Sequence, residues 1–71
     1  MREYTVIYEW AGKNFSAYVP DLPGCTTTGK TKEETERLIQ EAIALYIQIL
    51  REDEMPIPEP TATAGRVPVA A

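Results

Sequence analysis

Residues 3–10 alternate strictly, with Tyr4, Val6, Tyr8 and Trp10 on one face of an extended chain and Thr5, Ile7 and Glu9 on the other. That period of two is the signature of a β-strand. Ala11-Gly12-Lys13-Asn14 follows, and Gly and Asn turn a chain through positive φ at little steric cost. A second alternating run over 14–20 sets Phe15, Ala17 and Val19 against Ser16 and Tyr18, so the two runs form a hairpin. Pro20-Asp21-Leu22-Pro23-Gly24 stops the ladder, because neither proline has an amide to donate and Pro-Gly favours a tight turn. Cys25 followed by the β-branched Thr26-Thr27-Thr28 predicts a short third strand over 25–28.

The period then changes. Thr31-Lys32-Glu33-Glu34 spells a capping box, in which the Thr31 hydroxyl accepts from the Glu34 amide and the Glu34 carboxylate reaches back to the Thr31 amide. A helix over about 32–52 is predicted, with acidic residues at 33, 34 and 36 suiting the positive end of its dipole. Along it Leu38, Ala42, Leu45 and Ile49 form one apolar line, and Ile39, Ile43, Tyr46 and Leu50 form a second beside it. Together they cover roughly 200° of the helix, about twice the ~100° needed to sit on one sheet. One sheet cannot cover that arc, so part of it is expected to face a second subunit, a partner or the chain's own tail. The subunit is favoured, because the tail offers few large apolar side chains.

Pro56 and the acidic run Glu52-Asp53-Glu54 are predicted to fray the helix near Arg51 to Asp53. Residues 55–60 form a Pro-rich extended exit, 61–65 a weak linker, and 66–69 can add an edge strand limited by Pro68. The expected architecture is one α+β domain over 1–71: a three-stranded antiparallel sheet, one long helix and a short C-terminal edge strand, in the order β-β-β-α-β.

Composition sharpens this picture. A chain of 71 residues buries only ~60% of its extended surface on folding. Its one cysteine rules out an internal disulfide, and the lack of histidine makes a metal cluster a poor prospect. Oligomerisation or a bound partner is the support left open. No stretch approaches the ~20 apolar residues of a membrane span and no leader pattern is present, so the expectation is a soluble, cytoplasmic protein without a membrane role. Residues 32–60 carry three basic against eight acidic groups, a surface that repels nucleic-acid backbones and steers basic proteins; no direct nucleic-acid binding is expected. Without histidine, catalysis would rest on carboxylates, Lys30, Cys25, Ser16 or a tyrosine. No enzyme activity, cofactor or metal is expected.

Several residues have two readings. Cys25 suits a small buried position better than a reactive thiol. Asp21 either caps its own turn or offers a carboxylate to a basic partner. Gly24 and Gly29 read as positive-φ positions. Periodicity does not decide which sheet face the helix covers, and therefore whether the aromatic face is core or binding surface. On this reading Leu38, Ile39, Leu45, Tyr46 and Ile49 are candidates for an oligomer interface. Tyr8, Trp10, Tyr18, Asp21 and Glu41 are candidates for partner binding, since exposed aromatic residues are enriched at interface hot spots.

The run Tyr4-Thr5-Val6-Ile7-Tyr8, then Tyr18-Val19-Pro20-Asp21-Leu22-Pro23-Gly24-Cys25 with Thr27 and Gly29, then Thr31-x-x-Glu34 opening a helix, resembles the N-terminal domain of HicB-like antitoxins. The resemblance covers roughly residues 3–69. It implies a degenerate, partial RNase H-like sheet that binds and neutralises a small basic HicA-type toxin that cleaves mRNA. With only Glu3, Glu9 and Asp21 on or near strands, the carboxylate cluster of a metal-dependent nuclease is missing. Family members commonly add a DNA-binding segment, for which no room remains after Val69, so the resemblance implies recognition of protein. Two readings result: an antitoxin-like module, self-associated as a dimer or tetramer, that occludes a HicA-like toxin; or a solitary self-assembling structural or regulatory protein with no toxin and no catalysis.

Overall fold

The computed structural model describes residues 2–71. Three strands, β1 (Ile7–Trp10), β2 (Phe15–Tyr18) and β3 (Thr26–Gly29), precede one helix, α1 (Lys32–Glu52). The sheet is antiparallel in the order β1-β2-β3. This is the expected α+β arrangement of sheet and helix without the fourth strand: residues 66–69 are in no strand.

The strands are shorter than the alternation suggests, and the ladder explains why. Ile7 pairs with Tyr18, so Val6 and Thr5 would fall opposite Val19 and Pro20. Pro20 has no amide, and the Val19 amide donates to the Cys25 carbonyl at 3.1 Å. The loop 19–25 closes on itself through Leu22 N to Val19 O and Cys25 N to Leu22 O, 3.1 and 3.0 Å. That closure turns Leu22 inward, where it is fully buried with Ala17, Val19, Cys25 and Ile39. At the other end of the hairpin, Gly12 adopts φ +90° and Ala11 N donates to Asn14 O at 2.8 Å.

Register settles the question of faces. Tyr8, Ala17 and Thr27 lie across from one another, and Ala17 is fully buried, so the face carrying Tyr4, Val6, Tyr8 and Trp10 is the one turned to the helix. Tyr4, Val6 and Tyr8 pack against the core from its edge. The opposite face carries Ile7, Tyr18 and Thr26 in one row and Glu9, Ser16 and Thr28 in the next, a largely polar surface with Tyr18 exposed.

Gly29 holds the helix to one side of this sheet. It does not have positive φ; a Cβ there would lie 3.0 Å from the backbone nitrogen of Thr35 and closer still to its hydroxyl. The missing side chain lets α1 approach β3, which corrects the reading of this glycine as a turn device. Gly24, at φ +82°, is one. Thr35 is fully buried in consequence, and its hydroxyl donates to the Thr31 carbonyl at 2.7 Å.

The helix ends are defined by side chains and backbone together. Thr31 Oγ1 accepts from Glu34 N at 3.1 Å, as the capping box requires, but the Glu34 carboxylate accepts from the amide of Lys30 (3.3 Å), not that of Thr31. The C-terminus stops cleanly where fraying was expected. Glu54 takes φ +54°; its amide donates to Arg51 O at 3.1 Å and that of Met55 to Leu50 O at 2.8 Å. This is the paired pattern of a Schellman motif, with a glutamate where glycine is usual.

Candidate protein-binding surface

The tail that leaves this cap is pinned to the segment that leads into β1 and to the loop 19–25. Tyr4 Oη donates to Pro58 O at 2.6 Å and Thr5 Oγ1 to Ala62 O at 2.7 Å. Arg2 pairs with Glu59 at 3.2 Å. Asp21 is the main clamp: its carboxylate accepts from Thr61 N (3.1 Å), Thr61 Oγ1 (3.0 Å) and Ala62 N (3.0 Å). These bonds, the one from the Ala62 amide above all, hold the Asp21 carboxyl below its ordinary pKa because they favour the charged form. Asp21 therefore neither caps its own turn nor presents a free carboxylate. Prolines at 56, 58 and 60 keep this tail out of a ladder while leaving its carbonyls free to accept.

With α1 drawn toward β3, the helix lies over β3 and β2, and β1 is left partly uncovered. Between β1 and the helix runs an open cleft of about 520 Å³. Tyr4, Val6, Tyr8, Ile39 and Ile43 form its apolar walls, and Arg2, Glu3, Glu36 and Gln40 its polar rim. Tyr8 stands in the wall with the Lys32 ammonium 5.5 Å from its ring centre. Its phenol is pushed above the ordinary value by burial first and by the charge of Glu36 second.

The remaining candidate residues divide by position. Trp10 is exposed at the hairpin end, its ring 4.9 Å from that of Phe15. Tyr18 is on the opposite face of the sheet, and so cannot join Tyr8 and Trp10 in one patch. Glu41 is exposed on the helix, 3.6 Å from Arg37. Of the helix residues, Ile39 is fully buried in the chain's own core; this corrects its assignment to an oligomer interface. Tyr46 is committed in part, its hydroxyl donating to Pro23 O at 2.9 Å, and Leu38 is half-buried. Leu45 and Ile49 remain outside, 57% and 47% exposed. Cys25 is buried, which pushes its thiol pKa up and leaves it a packing residue.

The cleft gathers residues that were not among the sequence candidates for partner binding, namely Arg2, Glu3, Glu36, Gln40 and Ile43. Their signals in sequence were the alternation that set Tyr4, Val6 and Tyr8 on one face and the helical apolar arc, which is wider than one sheet covers. Among the described residues no three metal-ligating side chains converge, and no helix is long and apolar enough to cross a membrane.

Residues 4–67 match the family described as HicB_like antitoxin of bacterial toxin-antitoxin system. The chain belongs to this family. A UPF0150 protein of Thermoplasma acidophilum is 50% identical over 44 residues, covering 62% of this chain and 64% of that protein. A UPF0150 protein of Helicobacter pylori is 49% identical over 41 residues, 58% of this chain and 57% of its own. A UPF0150 protein of Synechocystis is 40% identical over 57 residues, 79% and 72% of the two chains. The chain thus spans under two thirds of the length of the first two of these relatives. No solved structure matches it significantly. Within the HicB-like family match lie the strands, the loop 19–25, the helix and the Asp21 clamp on the tail.

Proposed function

We infer that this HicB-like chain is a homo-oligomeric antitoxin module that neutralises a small basic HicA-type mRNA-cleaving toxin by covering it, without catalysis of its own. The observation that carries this reading is the cleft between β1 and α1. It combines apolar walls, which give a complex its lifetime, with the carboxylates of Glu3 and Glu36 at its mouth, which speed encounter with a basic partner. The acidic helix surface extends the same field. Nucleic acid is a poor occupant, since the net charge of −4 opposes a phosphate backbone.

The test is co-expression with a HicA-type protein, read as growth rescue and as co-purification. The intact chain rescues growth and retains the toxin, and association slows as salt is raised. Val6→Asp, which places a charge in the apolar wall, abolishes both. A folded Val6→Asp variant that neutralises as well as the intact chain would overturn the assignment of the cleft.

One observation favours the second reading, a solitary self-assembling protein. Leu45 and Ile49 leave an apolar strip open on the helix that the cleft does not use. Self-association that persists with no toxin recovered from the native lysate would support it.

A further inference from the structure

The polypeptide is more extended than its length requires. Its Cα radius of gyration is 13.8 Å, against ~11 Å for a compact chain of this size. Residues 63–71 account for part of the difference. Past the Asp21 clamp on Thr61 and Ala62, every one of them is exposed. In this arm Val67 and Val69 are 81% and 78% exposed, and a two-residue spacing puts both on one side of an extended chain. Arg66 precedes them and makes no ion pair among the described residues.

A surface of the opposite character lies on the second half of α1. Two adjacent hollows share Tyr46 and Ile49 as a common wall. One, of about 170 Å³, is completed by Gly24, Cys25, Thr26, Ala42 and Leu45; the other, of about 290 Å³, by Leu50, Asp53 and Met55. Met55 is 54% exposed at the second hollow, whose lining includes Asp53, the middle residue of the acidic run Glu52-Asp53-Glu54. The helix's own C-terminal carbonyls add negative potential there.

We propose that the arm of one copy lies along this groove of a second copy, with Val67 and Val69 in the two hollows and Arg66 against Asp53 and Glu54. The chemistry of the two surfaces selects the occupant: a short apolar pair led by one cation meets a double apolar hollow edged by carboxylates, and a single chain carries both halves. A two-fold axis then satisfies two arms and two grooves at once, closing the assembly as a dimer. The clamp at Asp21 has a definite part in this. By fixing Thr61 and Ala62 it sets where the arm departs, which lowers the entropy lost when the arm docks.

This inference rests on the homo-oligomeric part of the proposed function, and sedimentation equilibrium separates the two. The intact chain is expected to sediment as a dimer of the 7.9 kDa chain. A chain stopped after Ala64 keeps the clamp, its helical circular dichroism and its cooperative melt, but sediments as a monomer. Val67→Asp with Val69→Asp weakens association about a hundredfold or more, from the loss of two buried side chains. Arg66→Asp weakens it about fivefold to tenfold, and adding Asp53→Arg in the same chain recovers part of the loss, since the contact at position 53 is then reversed in sign while Glu54 is unchanged. If the shortened chain still sediments as a dimer, the arm proposal fails and association through the Leu45 and Ile49 strip stands. If the intact chain is a monomer at high micromolar concentration, both fail.

Discussion

β1 and β3 are the two edges of one small sheet under one helix, and they are covered very differently. At β3 the helix backbone comes so close that no Cβ fits on Gly29, and Thr35 is sealed beneath it. At β1 the same helix stands off, and Tyr4, Val6 and Tyr8 look into an open cleft. The five buried apolar residues among those described do not fill the space under both edges. One absent side chain decides which edge is sealed. The sealed edge holds the domain together, while the apolar residues of the open edge stay accessible in the cleft.

Substitutions on the two edges test this division. The largest effect is expected at Ile39, which is fully buried between them: Ile39→Ala removes about 3 kcal/mol of stability, a large fraction of what so small a domain has. Gly29→Ala should remove about 2 kcal/mol, as overpacking against the Thr35 backbone forces the helix off β3. In thermal melts each kcal/mol appears as a fall of roughly 4–8 °C. On the open edge, Val6→Ala has little to collapse and should cost under about 1 kcal/mol, while weakening toxin retention. A loss at Val6 equal to that at Ile39 would mean that the segment leading into β1 is as much part of the sealed core as β2. Smaller still, and of opposite sign, is Glu54→Gly. Removing a Cβ from a left-handed position gains about 0.5–1 kcal/mol after the entropy cost of glycine.

Much of this arrangement was legible in the residues. Alternation located the hairpin, the β-branched run located β3, and Thr31 with Glu34 located the helix start to the residue. What stayed illegible depends on distance across the fold. Glycine looks the same in sequence whether it supplies positive φ, as Gly24 does, or close approach, as Gly29 does; only the helix laid beside it tells them apart. Leu22 read as part of a turn because its burial depends on how the loop closes through backbone bonds. The strand expected over 66–69 failed because the tail is held by side chains at 58–62 and then departs. For the surface, the aromatic alternation pointed to Tyr8 and Trp10, but not to the cleft, which exists only because the helix is displaced.

Asp21 offers the finest test of how the two parts of the tail differ, since it grips a segment 40 residues away and leaves the next one free. Its carboxyl is held below the ordinary value by the amide of Ala62 first, aided by the hydroxyl and amide of Thr61. A depressed folded pKa means that the clamp's contribution is complete above the unfolded value of about 3.9 and is lost as pH falls through the lower folded value. Amide exchange at Thr61 and Ala62 should therefore be protected at pH 5 to 7. Referred to the intrinsic rate at each pH, that protection should disappear on acidification below the ordinary carboxylate range, while the helix amides around Ile39 keep theirs. Asp21→Asn should expose the same two amides at neutral pH, because the neutral amide is a weaker acceptor and its NH₂ faces donors. Residues 63–71 should exchange freely in the monomer under every condition. If Thr61 and Ala62 remain protected in Asp21→Asn, the tail is held by Arg2, Tyr4 and Thr5 without it, and the carboxylate is free to meet a basic partner after all.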